Sequence, residues 1–348
     1  MRIIGVPILI SLLVSVPTRA QSLEEALSDV GSIYAAAYLE PLVDGVGASL
    51  GSGLFQAAHV GRNRTGLTFY VGVRAMAMPL SDADRSFDLS YESSAIVDVD
   101  VGPGTVPMRL PALYEVRDAP GLFGSEDAAS ATVTVRHDTT VSFLGILLPV
   151  SIDTAFESAT IGGLAEAVNL VPFAVLQGGV GSYLGTSLMV RWLPTINVKD
   201  LGALTYVGFG LRHDVSQYLP LLPFDLAVQG AWQRINVSAE GPDDLISSSV
   251  FAANVEASKR FGSLTLFGGV QTEDARVRVR YEQAAGSPGT QPTNADETES
   301  IPIRLDLRGA NRMRIALGAD LGLGPVHLYG DVNMGARTVF SAGLAVVY

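Results

Sequence analysis

The 348 residues carry 35 acidic against 23 basic side chains, a net charge of −12, which excludes a basic face for nucleic acid. Cysteine is absent, which excludes disulfides, thiol catalysis and zinc–thiolate sites. Hydrophobic residues make up 48 % and charged ones 17 %, yet past residue 20 no run matches the roughly 20 apolar residues of a membrane-spanning helix. Apolar residues spread over alternate positions suit a membrane β-barrel instead.

Residues 1–20 read as a secretory signal. Arg2 is the positive start, residues 3–16 are mostly apolar, and Thr18-Arg19-Ala20 offers a cleavage site before Gln21. Residues 22–39 predict a helix, with Ser22 and Glu25 as a capping box and Leu23, Ala26, Leu27, Val30, Ile33 and Tyr34 as its apolar stripe. Pro41 is expected to end it, and a glycine-rich stretch over 45–61 follows. The segment 21–65 reads as a plug inside a barrel or as a stub outside it, with the barrel itself over 66–348.

Residues 66–78 alternate cleanly as a strand. Between 81 and 131 the pattern is weaker, with candidate strands at 87–98 and 106–116 around Gly102-Pro103-Gly104 and an exposed loop at 118–127. Residues 132–141 alternate again, 143–152 are apolar on both faces, and 161–169 suggest a short helix. Alternation then runs through 173–180 and 182–192 (joined at Gly181), 203–213, 224–237, and the pair 250–261 and 264–281 turned at Gly262. The polar stretch 282–300 is the longest loop and is expected on the extracellular side.

Beyond it, Ile301, Ile303, Leu305 and Leu307 alternate with Pro302, Arg304, Asp306 and Arg308, and Arg312 and Arg314 continue the charged face. A charge on the lipid face near mid-membrane costs ~2–4 kcal/mol, so the arginines are expected in the lumen. Tight hairpins are expected at Gly309 and Gly324-Pro325. The last run places Phe340, Ala342, Leu344, Val346 and Tyr348 on one face. It resembles the C-terminal strand of bacterial outer-membrane barrels, which closes the barrel against the first strand and engages the barrel-assembly machinery. The fold expected is all-β, a transmembrane antiparallel barrel of about fourteen strands, or twelve if part of 81–169 is loop or helix, with a short N-terminal helical plug and outer-membrane lipids around it.

Candidate chemistry is sparse. His59, His137, His213 and His327 stand at no metal-binding spacing, no cofactor motif is read, and no Gly-x-Ser-x-Gly elbow occurs. Ser216 near His213 and Asp214 invites a triad, but residues so close along one strand or turn rarely face one another, so no enzyme is expected. Arg304, Arg308, Arg312, Arg314 and His327, with Asp306, Asp320 and Asp331, read as a polar path or head-group site, or as ladders of cross-strand ion pairs. Leu54 and Phe55, with the apolar stripe of the helix, read as one wall of an acyl-chain pocket or as simple packing. Together these residues would bind a small hydrophobic ligand.

Four stretches carry a resemblance: Tyr38-Leu39-Glu40-Pro41 with Gly47, Leu50 and Gly53-Leu54-Phe55; residues 184–194, from Leu184-Gly185-Thr186 to Trp192-Leu193-Pro194; residues 201–214, from Leu201-Gly202 to His213-Asp214; and Leu219-Pro220 with Pro223-Phe224-Asp225-Leu226-Ala227. In these the chain resembles the long-chain fatty-acid transporter family of outer-membrane barrels and its relatives, among them scaffold barrels of a Bacteroidota secretion system and an uncharacterised barrel family. The resemblance implies a fourteen-stranded barrel with an N-terminal plug. The functions it leaves open are admission of fatty-acid-like molecules across the outer membrane and a non-transporting scaffold in assembly or secretion.

Overall fold

The computed structural model describes residues 31–56, 67–100, 105–143, 146–198, 202–219, 221–238, 244–283 and 301–348. The signal segment, residues 21–30 and most of the loop 282–300 lie outside these. One helix, α1 (Ser32–Leu50), precedes fifteen strands among the described residues: β1 (Thr68–Pro79), β2 (Ser86–Asp100), β3 (Thr105–Pro120), β4 (Ser130–Phe143), β5 (Ile146–Ala159), β6 (Leu170–Tyr183), β7 (Thr186–Val198), β8 (Gly202–Asp214), β9 (Asp225–Ser238), β10 (Asp244–Phe261), β11 (Leu264–Gln283), β12 (Ile301–Arg308), β13 (Met313–Leu323), β14 (Val326–Met334) and β15 (Val339–Val347).

Ten of them, β1, β6 to β11 and β13 to β15, close an antiparallel ring, completed by the β10–β11 pairing. The seam joins the two ends of the chain: β15 pairs with β1 from Ala77 opposite Phe340 to Tyr70 opposite Val347. Backbone bonds between Phe69 and Tyr348 carry it to the last residue. The alternation seen in the sequence sorts into two faces. Outside stand large apolar side chains that a water-soluble surface would hide, such as Phe209 at 47 %, Ile315 at 52 % and Phe340 at 54 % exposure. Inside, Arg74, Gln177, Arg191, Gln233, Glu256 and Asn333 are buried. An apolar exterior around a polar interior, with every ring edge paired, is the physical signature of a barrel that crosses a bilayer. No described helix is long and apolar enough to cross one.

Ten strands replace the fourteen, or twelve, expected. The strands β2 to β5 do form close to the predicted positions, but as a separate meander in the order β2-β3-β4-β5. Its inserted position is plain from the register, since Pro79 of β1 already faces Leu170 of β6. One face of the meander gathers Ala95, Val99, Leu110, Ala112, Tyr114, Val133 and Val135. The other presents Glu92, Asp98, Arg109, Arg136, Asp153 and Glu157, all exposed. A face so charged cannot lie against hydrocarbon. Residues 161–169 form no helix. They are irregular, and Arg85 ties them down through Glu166 O (2.9 Å) and Asn169 Oδ1 (2.7 Å).

The hairpin expected at Gly309 is also absent. β12 and β13 pair with the same edge of β11, β12 against its second half from Arg276 onward and β13 against its first half from Leu264 to Thr272. Both run antiparallel to β11, so they are successive pieces of one course, broken at 309–312. The tight turns at Gly262 (φ 65°) and Gly324 (φ 67°) do form, and the β6–β7 turn falls at Leu184-Gly185 rather than Gly181.

These tight turns lie at one end of the ring, together with the final residue. The meander, β12 and the second half of β11 lie at the other. Helix α1 occupies that second, long-connection end. It runs straight through Pro41 to Leu50 instead of stopping at residue 39. An internal proline costs a helix about 3 kcal/mol. Burial of Val43, Ala48 and Leu50 among Met76, Val175, Tyr206 and Val250 of the wall offsets it.

Candidate functional site: a tethered plug in the lumen

The last turn of a helix leaves carbonyls without donors and carries the negative end of its dipole. The last turn of α1 has no basic residue of its own; the barrel wall supplies one cation and one neutral donor. Arg314 Nη2 donates to Ala48 O (3.1 Å), and Gln233 Nε2 donates to Leu50 O. The chain then turns through Gly51–Gly53 and descends through the lumen to Gln56, bonded at nearly every residue. Gln271 Nε2 reaches Gly51 O (2.8 Å), and Arg191 Nη1 reaches Ser52 O (2.9 Å). Arg191 Nη2 and Arg74 Nε (3.1 Å) both donate to Gly53 O, and Arg74 Nη2 to Phe55 O (2.6 Å). The Gln56 N–H closes the series on Glu256 Oε2 (3.3 Å).

Two glycines make this fit possible. Gly53 adopts a φ of +63°, which an L side chain avoids, and a Cβ there would press Arg74. Gly47 lies against Ala275 and Gly309 of the wall, where a Cβ would come within 3.0 Å of Ala275.

Arg74, Arg212 and Arg314 each have a distinct counter-charge. Arg74 pairs with Asp331 (3.3 Å), Arg212 with Glu256 (3.0 Å), and Arg314 with Glu273. Arg191, at 0 % exposure, is held by neutral oxygens: the two plug carbonyls, Gln177 (2.9 Å) and Gln233 (3.1 Å). A second lock closes the upper mouth. Asp44 of α1 accepts from Ala310 N (2.8 Å) and pairs with Arg337 of the β14–β15 connection (2.9 Å); Arg337 also pairs with the buried Asp84 before β2 (2.6 Å). A small recess in the wall, lined by Tyr70, Arg74, Gln177 and Tyr329 among others, has a volume of about 10 Å³, room for about one water.

The sequence-predicted binding residues do not meet. Arg314 faces the lumen and grips the plug. His327 lies near the tight-turn end, bonded to Asp320 (2.9 Å). Arg304, Arg308 and Arg312 are exposed outside the barrel, because Ile303, Leu305 and Leu307 of β12 turn inward to cover α1. The cost argument that sent them to the lumen applies to strands in hydrocarbon, and β12 stands beyond the apolar belt. Leu54 and Phe55 are fully buried in separate contacts, Leu54 with Met189, Ala231 and Ala252, and Phe55 with Phe267 and Ala316. Both are packed against the inner wall of the ring. Phe340, Leu344 and Tyr348 of the closing strand face outward and Val346 is half-buried. Ser216 donates to Asp214, while His213 spends its ring nitrogens on Thr186 (2.9 Å) and on Tyr218 and Gln217 (3.1 Å each). No Ser–His bond is made. No group of three metal-binding side chains gathers among the described residues.

A family model described as "Family of unknown function (DUF6588)" matches residues 1–348. The chain belongs to this family. No curated protein matches it. Among solved structures it is similar to the translocator domain of autotransporter NalP from Neisseria meningitidis, with 9 % identity over 93 % of this chain and 99 % of that one and a TM-score of 0.24. It is similar also to the TodX monoaromatic hydrocarbon channel, with 11 % identity over 81 % and 89 % and a TM-score of 0.25. A third is OccK11 (OpdR) from Pseudomonas aeruginosa, with 10 % identity over 81 % and 95 % and a TM-score of 0.21. Superpositions this loose leave the reading of this DUF6588 chain to its own geometry.

Sequence reasoning missed most of the residues that matter here: Arg74, Gln177, Arg191, Gln233, Glu256, Gln271 and Glu273. The signal for them was present. Arg74, Gln177, Arg191 and Glu256 are each an isolated polar residue at an inward position between non-polar neighbours, as Arg191 is between Val190 and Trp192, whereas Gln233, Gln271 and Glu273 have a polar neighbour that blurs the pattern. Their partners are backbone carbonyls of the plug, which no side-chain pattern reveals.

Proposed function

We propose that the chain is an outer-membrane barrel exported by residues 1–20, closed to passage, that carries the β2–β5 meander on the extracellular side, where barrel connections are long. The observation behind this reading is the tethered plug. Three arginines, two glutamines and a glutamate bind the backbone of residues 48–56 inside the ring. In this reading the barrel is a scaffold or assembly element, inserted by the barrel-assembly machinery through the strand ending at Tyr348. A second reading is admission of small hydrophobic, fatty-acid-like molecules after withdrawal of the plug. It draws on Leu54 and Phe55, two large apolar side chains placed inside the lumen by a segment held through polar bonds.

Planar-bilayer conductance of the refolded chain separates the two. The closed reading expects no steady conductance from the native chain and open-pore steps from Arg74→Ala/Arg191→Ala, which loses four plug carbonyl bonds. A native chain that conducts steadily, or takes up a fluorescent fatty acid into vesicles in competition with unlabelled acid, overturns the closed reading in favour of the transporter.

A further inference from the structure

The β2–β5 meander has two outer edges, β5 and β2, and they are built differently. The Thr160 N to Ala129 O bond fixes the alternation of the β4–β5 ladder. Even-numbered residues of β5 bond β4, and odd-numbered ones turn their backbone groups to the open edge. Pro149 is among the latter, so a residue without an N–H stands on that edge and guards it against further pairing. β2 has no such guard. Beyond the irregularity between Phe87 and Leu89, its register with β3 is regular to Asp100, and no proline interrupts it. Every second residue from Leu89 to Asp100 therefore presents an intact N–H and C=O to a side on which no described strand lies.

The side chains beside this edge select what can pair there. On one face Tyr91 and Val97 are only partly buried where they pack against the apolar cluster of Ala95, Val99, Leu110 and Tyr114. A further strand with apolar residues on that face would complete their cover. On the other face Glu92 and Asp98 are exposed and make no ion pair among the described residues. Like charges on neighbouring strands repel, so a strand bearing acids is disfavoured there and one bearing lysine or arginine is favoured. The chain's own segments outside the described residues do not fit. Residues 21–30, 239–243 and 284–300 carry acids and no lysine or arginine, and the other gaps at that end of the ring span four residues or fewer. A second copy, pairing β2 with β2, would bring the same acids to the same edge.

We infer that the open edge of β2 is a docking site for an extended segment of another protein, one with apolar residues at alternate positions and lysine or arginine between them. The segment would join the meander as a fifth strand, its backbone bonded to β2, its apolar side chains against Tyr91 and Val97 and its cations against Glu92 and Asp98. The site rests on the meander standing clear of the bilayer and not on whether the lumen is closed, which conductance decides separately.

The test is fluorescence anisotropy of labelled synthetic peptides with the full refolded chain. One peptide alternates Val with Lys and Thr, a second has Glu in place of Lys, and a third is the first N-methylated throughout, which removes its donors. The site expects the Lys peptide to bind about tenfold or more tightly than either of the others, and expects Glu92→Lys/Asp98→Lys to reverse the preference between Lys and Glu peptides. Amide exchange in the free native chain is expected to be fast at every second residue over 89–100 and to slow severalfold when the Lys peptide binds. Equal binding of the Lys and Glu peptides, or no binding of either, overturns the basic-strand assignment. Undiminished binding of the N-methylated peptide overturns strand addition. Uniformly slow exchange over 89–100 in the free chain overturns the site in favour of a segment of this chain that already covers the edge. Exchange that slows with protein concentration alone overturns it in favour of a second copy. Heat-shifted gel mobility checks that the lysine variant is folded, and exchange in the native chain decides the matter if it is not.

Discussion

Arg191 brings a full charge to a place with no solvent, where desolvation of an ion costs several kcal/mol unless its hydrogen bonds are met. Here carbonyls and amides of Ser52, Gly53, Gln177 and Gln233 meet them, so the cation and the helix's carbonyl end stabilise each other. Arg314 works differently, because its partner Glu273 is itself buried. Replacing Arg314 by methionine leaves that carboxylate unpaired and is expected to lower unfolding stability by about 3–5 kcal/mol. Adding Glu273→Gln removes the stranded charge and is expected to recover part of the loss. Urea titration of the refolded barrel measures both; equal losses in the single and double variants would show that the ion pair is not what Arg314 supplies.

At the scale of the element, the meander has its own chemistry. Tyr91 of β2 stacks on Tyr114 of β3, with ring centroids 5.1 Å apart and planes 11° apart. Burial, then the charges of Tyr114 and Tyr34, push the Tyr91 hydroxyl up to about 12. The unfolded chain ionises near 10 while the fold keeps this group neutral, so the stability it contributes is present below about pH 10 and lost as pH rises toward 12. The tyrosinate absorbance that develops near pH 12 is expected to shrink by one tyrosine in Tyr91→Phe. A loss of one tyrosine from the transition near pH 10 instead would place Tyr91 in solvent. The meander also marks where sequence reading ended. Alternation revealed its four strands, but membership of the ring depends on which strand pairs with β1, and Pro79 meeting Leu170 leaves no local trace. The outward turn of β12 is hidden for a similar reason. Its two faces are equally regular, and only α1, more than 250 residues earlier in the chain, decides which one is covered.

For the whole molecule, the direct β1–β6 pairing makes the ring independent of what is inserted between those strands. Replacing residues 82–168 by a short glycine-serine turn is expected to leave a barrel with heat-shifted gel mobility, since the Leu80 N to Asn169 O bond (3.0 Å) already closes the gap. The same deletion removes the cap over the first half of α1. Leu122 N donates to Tyr38 O (3.2 Å), and Tyr38 OH donates to Gly162 O (3.2 Å). Hydrogen exchange is therefore expected to quicken around residues 34–39 while the lumenal bonds of residues 48–56 stay protected. Failure of the shortened chain to form a heat-shifted barrel would show that the meander helps the ring to close.

The grip on the plug also has a consequence for the ring. Its partners stand on six strands: Arg74 on β1, Arg191 on β7, Gln233 on β9, Glu256 on β10, Gln271 on β11 and Arg314 on β13. Strands that never touch in the sheet are thereby joined through residues 48–56. The plug is a hub and these side chains are its spokes, so it braces the ring from within.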